Sequence, residues 1–326
     1  MTDNSAQPLR YFGSSRRRPR APRRRRAALL LGAAMAFGVG AAGLAALPGA
    51  AAATSEQARS PQAARLAALA GQEVAAGAPG VTVRVSDGYG PAIEIARQAA
   101  WTKADGTLTV GSRFRMGSNT KTMVATVILQ LVAERRLALT DPVAKWLPGL
   151  IPDGHAITIR MLLNHTSGLF DYLEDPAVLK AFTGRDTRSW TPLQLIAAAV
   201  RHKPLFAPGK EYSYSNTNYV ALGLVAQQVT GKSMSELIEQ RIDRSLGLKD
   251  TYLVTGFPAP GDARVANGYE PDAARLAPLL PPYAPPGTSF TGPARGTWVN
   301  TTKINNSTEW TAGGIVSTAA DWALCR

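Results

Sequence analysis

The sequence predicts an α+β fold: an antiparallel sheet flanked by helices, with an all-helical subdomain at about 140–250. Three observations carry that prediction. Val81, Val83 and Val85 alternate with polar residues, and the turn Asp87-Gly88-Tyr89-Gly90 leads into a second strand near Ile93–Ala99, a hairpin. At Ser118 the period changes. Met123, Val127, Ile128, Leu131 and Val132 recur at spacings of three and four, the apolar stripe of a core-facing helix. From 140 to 232 turn residues separate short helical patterns, and no strand pattern stands out.

The other elements follow in order. Residues 61–77 place Ala and Leu at helical spacing, and Gly77-Ala78-Pro79-Gly80 ends that helix. A turn at Asp105-Gly106 opens an extended region, Thr107–Arg115. Two helical patterns, Thr217–Val229 and Met234–Leu246, complete the middle of the chain, and 257–300, dense in Pro and Gly, reads as loop. Gly313-Gly314-Ile315-Val316 reads as a buried segment, so both ends of the mature chain contribute to the sheet. Ser317-Thr318-Ala319-Ala320-Asp321 then reads as a capping box opening a helix. Five residues follow Asp321, fewer than a stable helix needs, so an element cut short is expected there.

The 326 residues are 45% apolar and 18% charged, a globular composition, yet the formal charge is +13. Its location explains it. Residues 1–53 hold nine arginines and one acid, leaving 27 of the 36 basic and 22 of the 23 acidic residues for the rest. A body so mildly charged, with no basic stripe, argues against a nucleic-acid partner. The arginines end at Arg26, an uncharged run spans Ala27 to Leu47, and Ala50 to Ala53 supply an A-x-A cleavage pattern. Residues 1–53 are therefore expected to be an export signal, with the mature domain at 61–326. An uncleaved anchor is the alternative, since 21 apolar residues just span a bilayer. Membrane contact is expected only through this segment.

One cysteine, Cys325, excludes an internal disulfide framework and a CxxC metal site. His155, His165 and His202 are scattered, which argues against a His-based metal centre. What remains is side-chain chemistry without a cofactor.

Ser118-Asn119-Thr120-Lys121 sits where strand gives way to helix, and residues three apart share a helix face. A serine hydroxyl attacks well only when a base takes its proton, and a buried lysine loses charge readily enough to be that base. The motif alone arises by chance in a chain this long. A second one strengthens it: Glu211 to Tyr219 leads into a helix, with Tyr214 and Asn216 at its start, 96 residues beyond Ser118 for the tyrosine.

Together, Phe114 to Lys121, Leu163-Asn164-His165-Thr166-Ser167-Gly168-Leu169 and Tyr212 to Tyr219 resemble the exported D-alanyl-D-alanine carboxypeptidases of actinomycetes. These stand with class C β-lactamases and related esterases among the penicillin-recognising serine hydrolases. The resemblance runs from about Arg65 to Asp321 and implies a β-lactamase/transpeptidase-like fold. It implies Ser118 as the acylated nucleophile, Lys121 as its base partner and Tyr214 as the proton relay. Asn216 would hold Lys121 and the substrate amide, and the Ser118 N–H would be one oxyanion donor. For Tyr214 to act as a base, nearby cations must lower its pKa from about 10, and Lys121 is the expected cation. The implied ligands are peptidoglycan stem peptides and β-lactams. Tyr214 and Asn216 also admit a plainer reading, a hydrogen-bonded turn at a helix start. In the family an H/K-T-G strand, further strands and a C-terminal helix follow the position of Arg326. The chain is thus expected to be a C-terminally truncated member of low activity, as a fragment or a non-catalytic binding protein would be.

Other residues have plainer explanations. His165-Thr166-Ser167-Gly168 imitates the third motif in the wrong place and reads as a packed histidine and a turn. His155 and His202 read as surface residues without partners, nothing pairs Asp171 with Asp175 as catalytic carboxylates, and Trp298 and Trp310 read as packing.

Overall fold

The computed structural model describes residues 60–254, 262–280 and 284–325. The expected export signal, 1–53, lies outside them. The fold is α+β, as the sequence predicts. Helix α1, Pro61–Ala75, is capped by Ser60, whose hydroxyl accepts from Ala63 N. Strands β1, Gly80–Val85, and β2, Ile93–Gln98, form the expected antiparallel hairpin. The third extended region is shorter than expected. Only β3, Arg113–Arg115, is strand.

Helix α2, Thr120–Ala133, follows β3 through a tight turn at Gly117, where φ is +50°, a left-handed conformation that glycine adopts without strain. Val124, Val127, Ile128 and Leu131 of α2 are fully buried, each contributing about 1.5–3 kcal/mol of apolar burial. Short helices follow: α3, Val143–Trp146; α4, Ile159–Leu163; α5, Pro176–Phe182; and α6, Pro192–Val200. The long α7, Asn216–Thr230, packs against α2 and ends on Gly231 in the left-handed conformation. Then α8, Met234–Ile238, runs through a π turn, Glu239–Asp243, into α9, Arg244–Leu246.

The region read as loop is partly ordered. It holds α10, Ala273–Leu276, and a small antiparallel sheet of β5, Tyr269–Pro271, β6, Ala294–Arg295, and β7, Trp298–Asn300. Strands of two or three residues carry too little alternation to register in the sequence. Trp298 stacks on Trp101 at 6.3 Å and Tyr269 meets Trp101 edge-on at 5.1 Å, tying this sheet to the hairpin side.

After α11, Trp310–Gly313, strand β8, Ile315–Thr318, enters between β3 and β4, Tyr252–Leu253, antiparallel to both. The hydrogen-bonded strands therefore form separate sheets, β1–β2 and β3–β8–β4, rather than one. The cap at Thr318 is present, its hydroxyl accepting from Asp321 N, and it opens the one-turn α12, Ala319–Trp322. The reciprocal half of the expected box is absent. Asp321 instead accepts from Asp250 N and Thr251 Oγ1, fastening α12 to the start of β4.

Candidate active site

Ser118 lies on a single 3-10 turn, Gly117–Asn119, between β3 and α2. Its position is pinned from two sides. Met116 N donates to Ile315 O at 2.8 Å, extending the β3–β8 pairing, and Ile315 N donates to Thr120 Oγ1 at 2.9 Å. The helix start therefore cannot slide along the sheet.

The four residues picked out in the sequence converge. Ser118 Oγ is 2.6 Å from Tyr214 Oη and 3.1 Å from Lys121 Nζ. Lys121 Nζ also donates to Asn216 Oδ1 at 2.7 Å and to Ala312 O at 2.8 Å. Burial pulls the Lys121 pKa down to about 8 from 10.5, against the opposing pull of the Glu309 and Asp171 carboxylates. Two of its three partners, a carbonyl and an amide oxygen, can only accept. A neutral Lys121 therefore spends both N–H bonds on them and turns its lone pair to the Ser118 hydroxyl.

Which end of the Asn216 amide faces Lys121 is set by Asp171. Its Oδ2 accepts from Asn216 N at 3.1 Å and from Asn216 Nδ2 at 2.8 Å, while its Oδ1 accepts from Leu173 N at 3.0 Å. Burial raises the Asp171 pKa, and those hydrogen bonds oppose the rise. The sequence placed Asp171 near a site loop but gave no sign of this role, because the contact spans 45 residues between loop and helix start.

The phenol differs from expectation. Burial raises the Tyr214 pKa, and the hydrogen bond with Ser118 pulls the other way. Lys121 Nζ lies over the Tyr214 ring, 4.8 Å from its centre. Tyr214 thus remains a protonated phenol, suited to passing a proton on rather than to removing one.

His165 is a packed histidine, but it packs against the site. Its ring stacks on Tyr214 at 4.5 Å, and Nδ1 accepts from Ser215 N at 3.2 Å. Asn218 Nδ2 approaches the same nitrogen at 3.2 Å, and Ser167 Oγ donates to Asn218 Oδ1 at 2.6 Å. Burial, with the Lys121 charge adding to it, lowers the His165 pKa to about 4, so the ring is neutral and accepting. The Leu163–Leu169 segment is thereby the cradle of the Tyr214–Asn216 turn.

His202 is a correction: it is partnered. Nε2 lies 2.9 Å from Asp175 Oδ2 and the ring stacks on Phe170 at 4.0 Å, so a residue read as loose surface clamps two loops. Asp175 also caps α5 through Ala177 N. His155 is exposed, and Trp310 is buried in the core. Among the described residues no three His, Cys, Asp or Glu side chains converge as a metal site requires, and no helix is long and apolar enough to cross a membrane.

The chain is similar to known proteins over most of its described length. A family model described as Beta-lactamase matches residues 66–324. Esterase EstB of Burkholderia gladioli is 37% identical over 159 residues, 44% of this chain and 39% of that protein. A putative D-alanyl-D-alanine carboxypeptidase of Escherichia coli K12 is 30% identical over 166 residues, 46% of this chain and 36% of that protein. The chain thus spans well under half the length of these curated relatives. A solved D-stereospecific amidohydrolase from Streptomyces sp. is 33% identical with a TM-score of 0.65, covering 81% of this chain and 71% of that one.

Proposed function

The chain belongs to the Beta-lactamase family of penicillin-recognising serine hydrolases, and from that premise we propose an exported hydrolase of the D-alanyl-D-alanine carboxypeptidase type, acylated on Ser118. The observation that carries the reading is the meeting of Lys121 Nζ and Tyr214 Oη on one hydroxyl, Ser118 Oγ.

Neutral Lys121 accepts the Ser118 proton as Oγ attacks the carbonyl carbon of a D-Ala-D-Ala peptide bond. The Ser118 N–H, on the 3-10 turn that leads into α2, faces the charge that develops on the carbonyl oxygen. Tyr214 delivers a proton to the departing amine and is re-protonated by the Lys121 ammonium as D-alanine leaves. Neutral Lys121 then takes a proton from water as that water attacks the acyl carbonyl, and the proton returns to Ser118 Oγ when the ester breaks. Asn216 holds Lys121 and meets the substrate amide. β-Lactams acylate the same serine, and no cofactor takes part. Export rests on the arginine-rich segment and the A-x-A pattern at residues 1–53.

A second reading has its own support. The likeness to the D-stereospecific amidohydrolase of Streptomyces sp. favours an amide with a D-configured centre as substrate.

Mass spectrometry of the protein after incubation with a fluorescent penicillin tests the nucleophile: label is expected on Ser118 and lost in Ser118→Ala. Label elsewhere, or labelling undiminished in that variant, overturns the assignment. Turnover of a D-Ala-D-Ala peptide, a D-amino-acid amide, nitrocefin and p-nitrophenyl butyrate then ranks peptidase, amidase, β-lactamase and esterase.

A further inference from the structure

One residue holds the segment that carries the phenol. His165 O accepts from Ser213 N at 3.1 Å, and His165 Nδ1 accepts from Ser215 N at 3.2 Å. Between those two contacts the imidazole stacks on the Tyr214 ring, with 4.5 Å between centres and 23° between planes. Residue 214 is thus gripped at both neighbours and on its own ring face. His165 does this from a backbone φ of +60°, a left-handed conformation uncommon for a residue with a Cβ. Conformations of that kind persist where the surrounding contacts fix them.

The ring is fixed in its turn. Tyr219 of α7 packs on it at 5.4 Å and donates its hydroxyl to Leu163 O, at the end of α4, at 3.1 Å. Two N–H donors converge on Nδ1, Ser215 N and Asn218 Nδ2, each at 3.2 Å. Asn218 is oriented by Ser167 Oγ, which donates to its Oδ1 at 2.6 Å. Nδ1 must therefore be bare, and the neutral ring keeps its proton on Nε2. A histidine that only filled space would need no such choice of tautomer. An imidazolium would turn a third N–H toward two others, and burial and the Lys121 charge both act against it.

We propose that His165 is a positioning residue for the proton relay: with Nδ1 bare, it holds the Tyr214 hydroxyl against Ser118 Oγ. The inference rests on the reading of Tyr214 as that relay. The grip lies one ring away from the reacting atoms, since Tyr214 Oη stands 2.6 Å from Ser118 Oγ. Without it the phenol is free to swing, and a misplacement of about 1 Å costs about 10² in rate.

Stopped-flow labelling of Ser118 by fluorescent penicillin measures the effect in the full chain. His165→Gly suits the left-handed backbone but removes ring and acceptor, and is expected to slow labelling about tenfold or more. His165→Asn suits the same backbone and offers an amide oxygen where Nδ1 stands, so it is expected to recover most of that loss. In Tyr214→Phe, which has no hydroxyl left to place, His165→Gly is expected to add a loss of less than about twofold. Cooperative melting verifies that each variant folds. The native protein supplies a test that needs no variant to fold: its nitrogen-15 NMR spectrum at pH 7 is expected to show His165 with Nδ1 bare and Nε2 protonated. A proton on Nδ1, native labelling in His165→Gly, equal losses in the Gly and Asn variants, or an undiminished loss without the Tyr214 hydroxyl overturns the proposal while the relay reading stands. A native labelling rate in Tyr214→Phe overturns the relay reading, and the proposal with it.

Discussion

The Tyr214 hydroxyl stands closer to Ser118 Oγ, at 2.6 Å, than the Lys121 amine does, at 3.1 Å, yet the lysine is the group whose pKa has moved toward neutrality. Proximity and basicity are thus divided between two residues. Tyr214→Phe and Lys121→Met are each expected to slow acylation by about 10²–10⁴. Penicillin labelling rates followed by stopped flow measure both. A loss below tenfold in Lys121→Met would remove the lysine from the role of base.

The same division predicts a pH dependence. Burial lowers the Lys121 pKa to about 8, and only the neutral amine accepts a proton. Acylation is therefore expected to rise with pH through about 8 and level above it. For stability the sign is the same: between about 8 and 10.5 the unfolded chain holds the proton that the folded chain has released, so this group's contribution increases with pH. A flat rate profile between pH 7 and 9 contradicts the assignment.

Asp171→Asn separates orientation from charge. In the native arrangement one carboxylate oxygen serves Leu173 N and the other serves both Asn216 donors. An amide there must turn an NH₂ toward one of those donor sets. Leaving one donor unpaired costs about 1–3 kcal/mol, and turning the Asn216 amide around would set a donor against Lys121. A Tm decrease is expected, with acylation reduced by up to about 10² through misplacement of Lys121. An acylation rate matching the native protein's would show that Asn216 is held by other contacts.

Asp243 offers a test away from the site. Its carboxyl is buried and pushed up to about 7, chiefly by desolvation with Asp321 and Glu239 adding repulsion, and Oδ1 has no hydrogen-bond partner. A folded-state pKa raised in this way favours folding below about 3.8 and loses that advantage as pH rises through about 7. Asp243→Asn is expected to stabilise the protein at pH 8 by about 1 kcal/mol or more, with the gain shrinking toward pH 5. Chemical denaturation at the two pH values checks it, and a gain independent of pH would assign the effect to packing.

Gly168→Ala probes the cradle. Gly168 has φ +77°, and a Cβ there would lie 2.1 Å from the Phe206 carbonyl oxygen, a backbone atom that cannot swing aside. The left-handed backbone alone costs an alanine about 1–2 kcal/mol. A clear fall in Tm is expected, with slower labelling of Ser118 as His165 and Tyr214 shift together. An unchanged Tm would mean that the 168 and 206 loops move apart freely.

Much of the site was legible because its members lie in short local patterns. Ser118 and Lys121 share one helix turn, and Tyr214 and Asn216 share one helix start, so spacing alone brings each pair together. Ala312 and Asp171 were not legible. Ala312 reaches Lys121 through a backbone carbonyl, which leaves no mark in a sequence, and Asp171 reaches Asn216 across 45 residues. The three-residue strands β5 and β7 went unread for a related reason, since alternation over so few positions is indistinguishable from loop. His202 misled because its partners, Asp175 and Phe170, lie on other loops.

The entry of β8 between β3 and β4 makes the site a matter of timing. Ile315 fastens the head of α2 across 195 residues, and Ala312 reaches Lys121 across 191. A ribosome adding about 5–20 residues per second delivers that stretch about 10–40 s after Ser118. Until then the lysine lacks the carbonyl that directs its lone pair, and the sheet lacks its middle strand. The nascent chain therefore carries an unarmed serine and no finished core.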